Sequence, residues 1–330
     1  MATWNQCGYI EDALNSVAAQ TCEDYEVVVV NDGSTDDTEA VLARWLESFR
    51  ERHGNRVVAV TIRNSGQSAA FEHGFALCTG TYICLLDSDD RWLPQKLAEV
   101  SRVASESPNA GMIAHPLYVI GPDGSRTGDV RPKRARLSDG DIRRLVAKTG
   151  RQVAPATSGI VIAAKVFQQL VPMPTKQFRS GADEYLTLGA TLRAPVRAIS
   201  YPLGEYRMQP DGAYLRRMIS PDGIQRSVDL QLTIARHLGL ESVIRRSSFF
   251  ARNQFALAKF AGSTREQLGT FGDLAGATLT DRAFSIRDKM LLLTFWSLCL
   301  ASPRQAFARL WRVFQLKQTG YDRTMYASND

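Results

Sequence analysis

An α/β fold is predicted for the first two thirds of this 330-residue chain, a mostly parallel sheet flanked by helices, followed by a helical C-terminal region. Helical and extended apolar periodicities alternate between residues 9 and 120. The extended runs are continuous and β-branched rather than alternating, as in strands buried on both faces. Beyond about residue 224 the apolar positions follow helical spacing alone. These three observations divide the chain into 1–218 and 219–330.

The elements follow in order. Ile10, Ala13, Leu14 and Val17 recur at helical spacing, and 26–30 is a β-branched run too short for a helix. Val41, Leu42, Trp45, Leu46 and Phe49 form a second helical stripe, 57–62 a second strand, 67–78 a third helix and 81–86 the next strand. Pro94 is suited to open a helix carrying Leu97, Val100 and Val103, and 112–120 reads as one strand. Residues 121–141 are rich in Gly, Asp and Arg, including Arg131, Lys133, Arg134 and Arg136. They predict a long exposed loop before a short helix opening near Ser138. The C-terminal helices are expected over 224–238, 241–261, 281–301 and 303–317.

A hydrophobic content of 44% excludes a disordered chain, and the length allows a substantial core. No apolar run reaches the roughly 18 residues of a membrane-spanning helix, and no basic-then-apolar leader opens the chain, so a cytoplasmic protein is expected. Cys7, Cys22, Cys78, Cys84 and Cys299 form an odd set without a CxxC pair, which argues against a disulfide framework or zinc site.

Charge is uneven. Residues 1–199 hold 22 Lys+Arg and 23 Asp+Glu, whereas 200–330 hold 18 and 11. Such a basic region can meet nucleic acid, an anionic membrane or an acidic substrate. No nucleic-acid-reading motif or base-stacking platform accompanies it, so nucleic acid is not expected as a partner. The 12-residue apolar run 290–301 would be about 18 Å long as a helix, short of the roughly 30 Å hydrocarbon core. In 303–317, Phe307, Leu310, Trp311 and Phe314 share one face, while Arg304, Arg309, Arg312 and Lys317 lie largely elsewhere. Peripheral membrane contact through 290–317 and ordinary packing are both consistent with this pattern.

Three acidic segments carry the candidate chemistry. Asn31-Asp32-Gly33-Ser34 closes a strand; a carboxylate there can receive an N–H from a ligand while glycine turns the chain. A turn with a helix cap at Ser34 or Asp36 is the plainer alternative. Asp87-Ser88-Asp89-Asp90 closes another strand. Three carboxylates there repel unless a cation is bound, and spaced acids suit an octahedral ion shared with a diphosphate. An acidic turn capping the next helix is the alternative. Asp183-Glu184 follows Gly181-Ala182, where a carboxylate could act as general base or simply favour a helix dipole.

Taken in order, these segments resemble the family 2 glycosyltransferases, inverting enzymes with the GT-A fold. The resemblance runs over residues 3–210. It is carried by Asn5, Tyr9 to Val17, Gln20-Thr21, Val29 to Thr38, Asn64-Ser65-Gly66 and Gly74. Further on, Gly80, Tyr82-Ile83, Leu86 to Asp90, Trp92, Pro94 and Lys96-Leu97 continue it. It implies that a nucleotide-sugar donor, UDP-linked, gives its sugar to a hydroxyl of a glycan or lipid-linked acceptor in bacterial cell-surface polysaccharide assembly.

The resemblance also implies residue roles. Asp32 would accept the base N–H, with Thr3, Trp4, Asn5, Gly33, Ser34, Asn64 and Gly66 around the nucleoside and Asp87 and Ser88 by the ribose. Asp89, with Asp87 and Asp90, would hold Mg²⁺ or Mn²⁺ on the diphosphate. Asp183, or the adjacent Glu184, would deprotonate the acceptor. Arg207, with Arg216 or Arg217, would offset phosphate charge.

Three departures from the family pattern stand out. Ala182 and Gln209 replace an acid and a histidine, which keeps open a catalytically silent nucleotide-sugar-binding or partner subunit. The apolar strand expected before Thr3 is missing, so the strands at 27–30 and 81–86 are expected to face a gap.

Overall fold

The computed structural model describes every residue except 54–55, 133–135, 150–151, 177, 180, 209–219, 282–283 and 320–330. Lys133, Arg134, Gln209, Arg216, Arg217 and the expected boundary at 218/219 lie outside the described residues. The chain divides into two units. The first is Met1–Asp141 with Ala154–Pro210, and the second is Ile142–Val153 with Asp211–Asp330.

The first unit opens with β1 (Ala2–Thr3), α1 (Ile10–Ala18), β2 (Val27–Asn31), α2 (Thr38–His53), β3 (Val57–Thr61), α3 (Gln67–Leu77) and β4 (Tyr82–Cys84). It continues through β5 (Arg91–Trp92), α4 (Lys96–Glu106), β6 (Met112–Ala114), β7 (Leu117–Ile120) and β8 (Arg126–Arg131). It ends with β9 (Ile160–Ala163), the helix Ala182–Arg193, β10 (Val196–Ala198) and β11 (Gly204–Arg207). Parallel β1, β2 and β3 lie side by side. β10 and β6 are parallel and β9 runs antiparallel between β6 and β4, while β11 is parallel to β7 and antiparallel to β5. The expected sheet flanked by helices is present, with antiparallel β9 inside the β10-β6-β9-β4 order and antiparallel β5 and β8 at the two edges of the β5-β11-β7-β8 order.

Burial explains the element choices. All five residues of β2 are buried, as its continuous apolar run requires. α1 buries Ile10, Ala13, Leu14 and Val17, one stripe at helical spacing, beside Trp45 and Phe49 of α2.

The structure corrects several expectations. The run 112–120 is two strands, interrupted at His115-Pro116, because proline cannot donate to a ladder and restricts the residue before it. Residues 121–141 are not simply a loop: Arg126–Arg131 pairs antiparallel with β7. The gap expected between the strands at 27–30 and 81–86 is occupied at its C-terminal end. There Ala2 pairs with Val30 on one side and bridges to Asp87 on the other. The Met1 amino group donates to the Val28 carbonyl at 2.8 Å, and the Val30 and Asp32 N–H groups donate to Met1 and Thr3 carbonyls at 2.9 Å.

The second unit is helical among its described residues: Arg143–Thr149, Pro221–His237, Glu241–Arg245, Ser248–Ala261, Thr264–Thr280, Ile286–Ala301 and Arg304–Thr319. Its core gathers Phe255, Leu274, Trp296, Phe307 and Trp311. The expected 241–261 helix is broken at Ser247, whose hydroxyl accepts from the Phe250 N–H and caps the second segment. The helix Thr264–Thr280 was not expected, because Gly269, Gly272 and Gly276 lower its propensity; its capping box at Ser263 and Glu266 was legible in the sequence. Among the described residues no helix is long and apolar enough to cross a membrane.

Candidate active site

Two of the acidic segments sit at strand ends in the first unit and the third at the start of a helix, and side-chain to backbone hydrogen bonds hold the loops around them. Asp32, at the end of β2, is 4% exposed. Its two carboxylate oxygens accept the backbone N–H groups of Ser65 at 2.7 Å and Gly66 at 2.8 Å. Each oxygen keeps a second lone pair for a ligand donor. Gly33 has φ +66°, and a Cβ there would lie 2.7 Å from the Asn64 nitrogen, so this close crossing of two loops needs glycine.

Ser34 donates to Asn31 Oδ1 at 2.6 Å and accepts the Asn5 N–H at 3.0 Å. Asn5 in turn accepts the Thr35 N–H at 2.8 Å. Asn5 itself has φ +51°, a conformation asparagine tolerates. Thr3 is buried and Trp4 is 52% exposed, so the segment after β1 leads from the sheet to the surface over a few residues.

The second acidic segment follows β4. Asp87 is partly buried and its carboxyl is pushed up to about 7, first by burial, then by the charges of Asp89 and Asp183. Thr157 hydrogen-bonds to the Asp87 side chain and partly offsets that rise. Ser88 is buried. Asp90, 1% exposed, lies on the inner side of the turn. Its Oδ2 accepts from Ser158 Oγ at 2.6 Å and its Oδ1 from the Arg207 N–H at 2.8 Å. Burial, then the charges of Asp87 and Asp89, push its carboxyl well up. Asp90 therefore holds the turn to Ser158 and to the Arg207 backbone with one hydrogen bond on each oxygen.

Arg207 also differs from its expected phosphate contact. It is 2% exposed, donates through Nε to the Asp89 carbonyl at 2.8 Å and through Nη1 to the Pro122 carbonyl at 2.9 Å. Nη2 reaches Asp12 at 3.4 Å. Its guanidinium lies over the Tyr9 ring, 4.7 Å from the centroid. A buried planar fork of this kind fixes the backbone behind Asp89.

The third segment is positioned by α3. Gln67 Oε1 accepts the Gly181 and Ala182 N–H groups at 3.2 and 3.3 Å, at the start of the helix Ala182–Arg193. Ser68 donates to the Phe178 carbonyl, and Glu72 accepts the Met173 N–H at 3.0 Å. Gly66, at φ +95°, is pressed against Arg179: a Cβ would lie 2.5 Å from the Arg179 carbonyl oxygen. Asp32 thus grips the residues preceding α3, and α3 grips the loop before Asp183. Asp183 is half-buried and close enough to raise Asp87; Glu184 is exposed.

Sequence reasoning missed Ser158, Arg179 and Gln67. Ser158 accepts the Asp87 N–H at 3.0 Å on its hydroxyl, and its carbonyl receives Trp92 Nε1 at 3.1 Å and Lys96 Nζ at 2.9 Å. Lys96 is buried, 3.5 Å from the Trp92 ring centroid, and burial pulls its amine down to about 7. No local pattern marks a serine 71 residues away from the turn it organises. Arg179, which donates to Asn64 Oδ1 at 2.6 Å, falls in a loop with no motif of its own.

Among the described residues no three His, Cys, Asp or Glu side chains converge as a ready metal cluster. The charge pattern still fits a divalent cation, because the Asp89 and Asp183 charges oppose ionisation of Asp87 and a cation would relieve that opposition.

A mixed sheet flanked by helices, with carboxylates at the strand ends and a helix-start acid beside them, defines a GT-A architecture. The chain resembles Staphylococcus aureus TarS in complex with UDP-GlcNAc, with TM-score 0.58, 16% identity and coverage of 96% of this chain and 90% of that one. It also resembles the mannosyltransferase PcManGT from Pyrobaculum calidifontis in complex with GDP-Man and Mn²⁺, with TM-score 0.54, 19% identity and coverage of 98% and 86%. At these identities the likeness is one of fold. Residues 1–160 match the model of glycosyl transferase family 2, and this part of the chain belongs to that family. An uncharacterized glycosyltransferase of Nostoc sp. is 29% identical over 209 residues. The match covers 63% of this chain and 63% of that relative, so the chain spans less than two thirds of the relative's length.

Proposed function

We propose that the first unit transfers a sugar from a nucleotide-diphosphate sugar, a UDP-sugar, to a hydroxyl of a glycan or lipid-linked acceptor, with inversion at the anomeric carbon. The observation that carries this reading is the electrostatic proximity of Asp183 to Asp87, which joins a candidate base to the strand-end acids. Asp32, held rigid by Ser65 and Gly66, accepts the N–H of the base, and Thr3, Trp4 and Asn5 flank it. Gly33, Ser34, Asn64 and Gly66 shape the loops around it, and Ser88 backs the turn beside the ribose.

Asp87 and Asp89 would hold Mg²⁺ or Mn²⁺, which supplies neutralisation of the charge developing on the diphosphate leaving group. Asp90, Ser158 and Arg207 keep those two carboxylates in place from behind. Asp183 takes the acceptor proton as the hydroxyl attacks the anomeric carbon from the side opposite the nucleotide. A single displacement needs no covalent glycosyl-enzyme, in contrast to two-step retaining hydrolysis. The Mn²⁺ and nucleotide-sugar complexes of the structural neighbours support this donor class. Cell-surface polysaccharide assembly is the setting that the family resemblance favours.

A thermal-shift panel of nucleotide-sugars with and without Mn²⁺ tests the proposal. One donor should raise the melting temperature when metal is present and not when it is chelated. No response to any nucleotide-sugar would overturn it in favour of a partner subunit that binds no donor.

A further inference from the structure

The helix Ile286–Ala301 of the second unit has two apolar faces, and the core uses one. Trp296 and Cys299 are buried, with Leu292, Phe295 and Leu300 packed beside them. On the other side Ile286 is 84% exposed, Met290 62%, Leu291 60% and Leu298 62%. At about 100° per residue these four share one continuous face with Arg287, Thr294, Ser297 and Ala301. That face carries one charge, the cation of Arg287.

The surroundings are basic. From Ile286 to Thr319 the sequence has six Lys+Arg and one acid, Asp288, and Asp288 is engaged in the capping box with Ser285. The second unit as a whole carries 21 Lys+Arg and 10 Asp+Glu, net +11, against 19 and 24 in the first. In the next helix the apolar face expected over 303–317 packs inward. Phe307 and Trp311 are core residues at 0% and 1% exposure, while Arg304, Arg309 and Arg312 point to solvent.

We infer that the outward face of Ile286–Ala301 rests on an anionic lipid bilayer, with Ile286, Met290, Leu291 and Leu298 at the acyl boundary. Arg287, Arg304, Arg309 and Arg312 then meet the headgroups. At 16 residues the helix lies in the interface rather than crossing it. Charge decides between lipid and a second copy of the chain. Pairing two such faces would bring two net-positive units together, whereas an anionic leaflet attracts them. The inference concerns the second unit alone and does not rest on the sugar-transfer reading.

The test is co-sedimentation of the full chain with phosphatidylcholine vesicles and with equimolar phosphatidylcholine and phosphatidylglycerol vesicles, at low and high salt. The wild type should pellet with the anionic vesicles and less so as salt rises. Met290→Glu/Leu298→Glu should weaken that binding about tenfold or more while melting like the wild type. Arg304→Glu/Arg309→Glu/Arg312→Glu should weaken it comparably, and this variant decides the matter if the first fails to fold. Three results would overturn the inference: no binding of the wild type to anionic vesicles, undiminished binding by a folded variant, or a wild-type dimer in solution that Met290→Glu/Leu298→Glu dissociates.

Discussion

Asp183, at the start of the helix Ala182–Arg193, raises the pKa of Asp87 at the end of the β4 segment, although the two are 96 positions apart in sequence. In the proposed reaction one of these carboxylates serves the donor and the other the acceptor. Asp183→Asn should cut transfer by about 10²–10⁴-fold, the usual scale of a lost general base, with donor affinity little changed. Initial rates and donor titration check this. A larger loss in Glu184→Gln than in Asp183→Asn would move the base by one residue.

The Asp87 carboxyl at about 7, against an ordinary 3.8, fixes a sign for stability. The folded state holds this proton to higher pH than the unfolded chain. The associated stability is therefore full below the ordinary value and is lost as pH rises through the folded one. In chelator, the melting temperature should fall between pH 4 and pH 7. Asp87→Asn should flatten that fall, and added Mn²⁺ should reduce it in the wild type. A slope identical in the variant would contradict this account.

Ser158→Ala removes the donor to Asp90 and the acceptor of the Asp87 N–H. Leaving those groups without partners should cost about 1–3 kcal/mol of stability, measured by denaturant titration. Because the turn that carries Asp89 loosens, the Mn²⁺ concentration giving half-maximal thermal shift should also rise.

Arg207→Lys distinguishes a brace from a phosphate contact. Lysine cannot reproduce the fork that serves the Asp89 and Pro122 carbonyls. Stability should drop by about 2–3 kcal/mol. A direct phosphate ligand would instead show unchanged melting and a lower affinity for the free nucleotide diphosphate.

Gly66→Ala places a Cβ at φ +95°, 2.5 Å from the Arg179 carbonyl. Strain of about 1–3 kcal/mol is expected from the backbone conformation alone. The loop linking Asp32 to α3 should then shift and weaken donor binding, which calorimetry of nucleotide binding would detect.

The strands β2 and β3, the helices α1 to α3 and the acidic strand ends were legible because each is written locally. The continuous β-branched run of β2 is buried throughout, whereas β3, equally apolar in sequence, leaves Val58 and Thr61 exposed, and Asp-Gly or Asp-Ser-Asp after such a run needs an unusual environment wherever the chain goes. The sequence by itself therefore determined the α/β class, the family resemblance and the acids that carry charge. What Asp90 and Arg207 do was decided by the tertiary structure: a carboxylate and a guanidinium look equally available in sequence, and burial against Ser158, Pro122 and the backbone of their own turn directs them to bracing. The same holds for the C-terminal helices. Periodicity finds an apolar stripe, but which of two stripes faces the core depends on neighbours distant in the chain, and there Trp296, Phe307 and Trp311 turned inward while Met290 and Leu298 stayed outside.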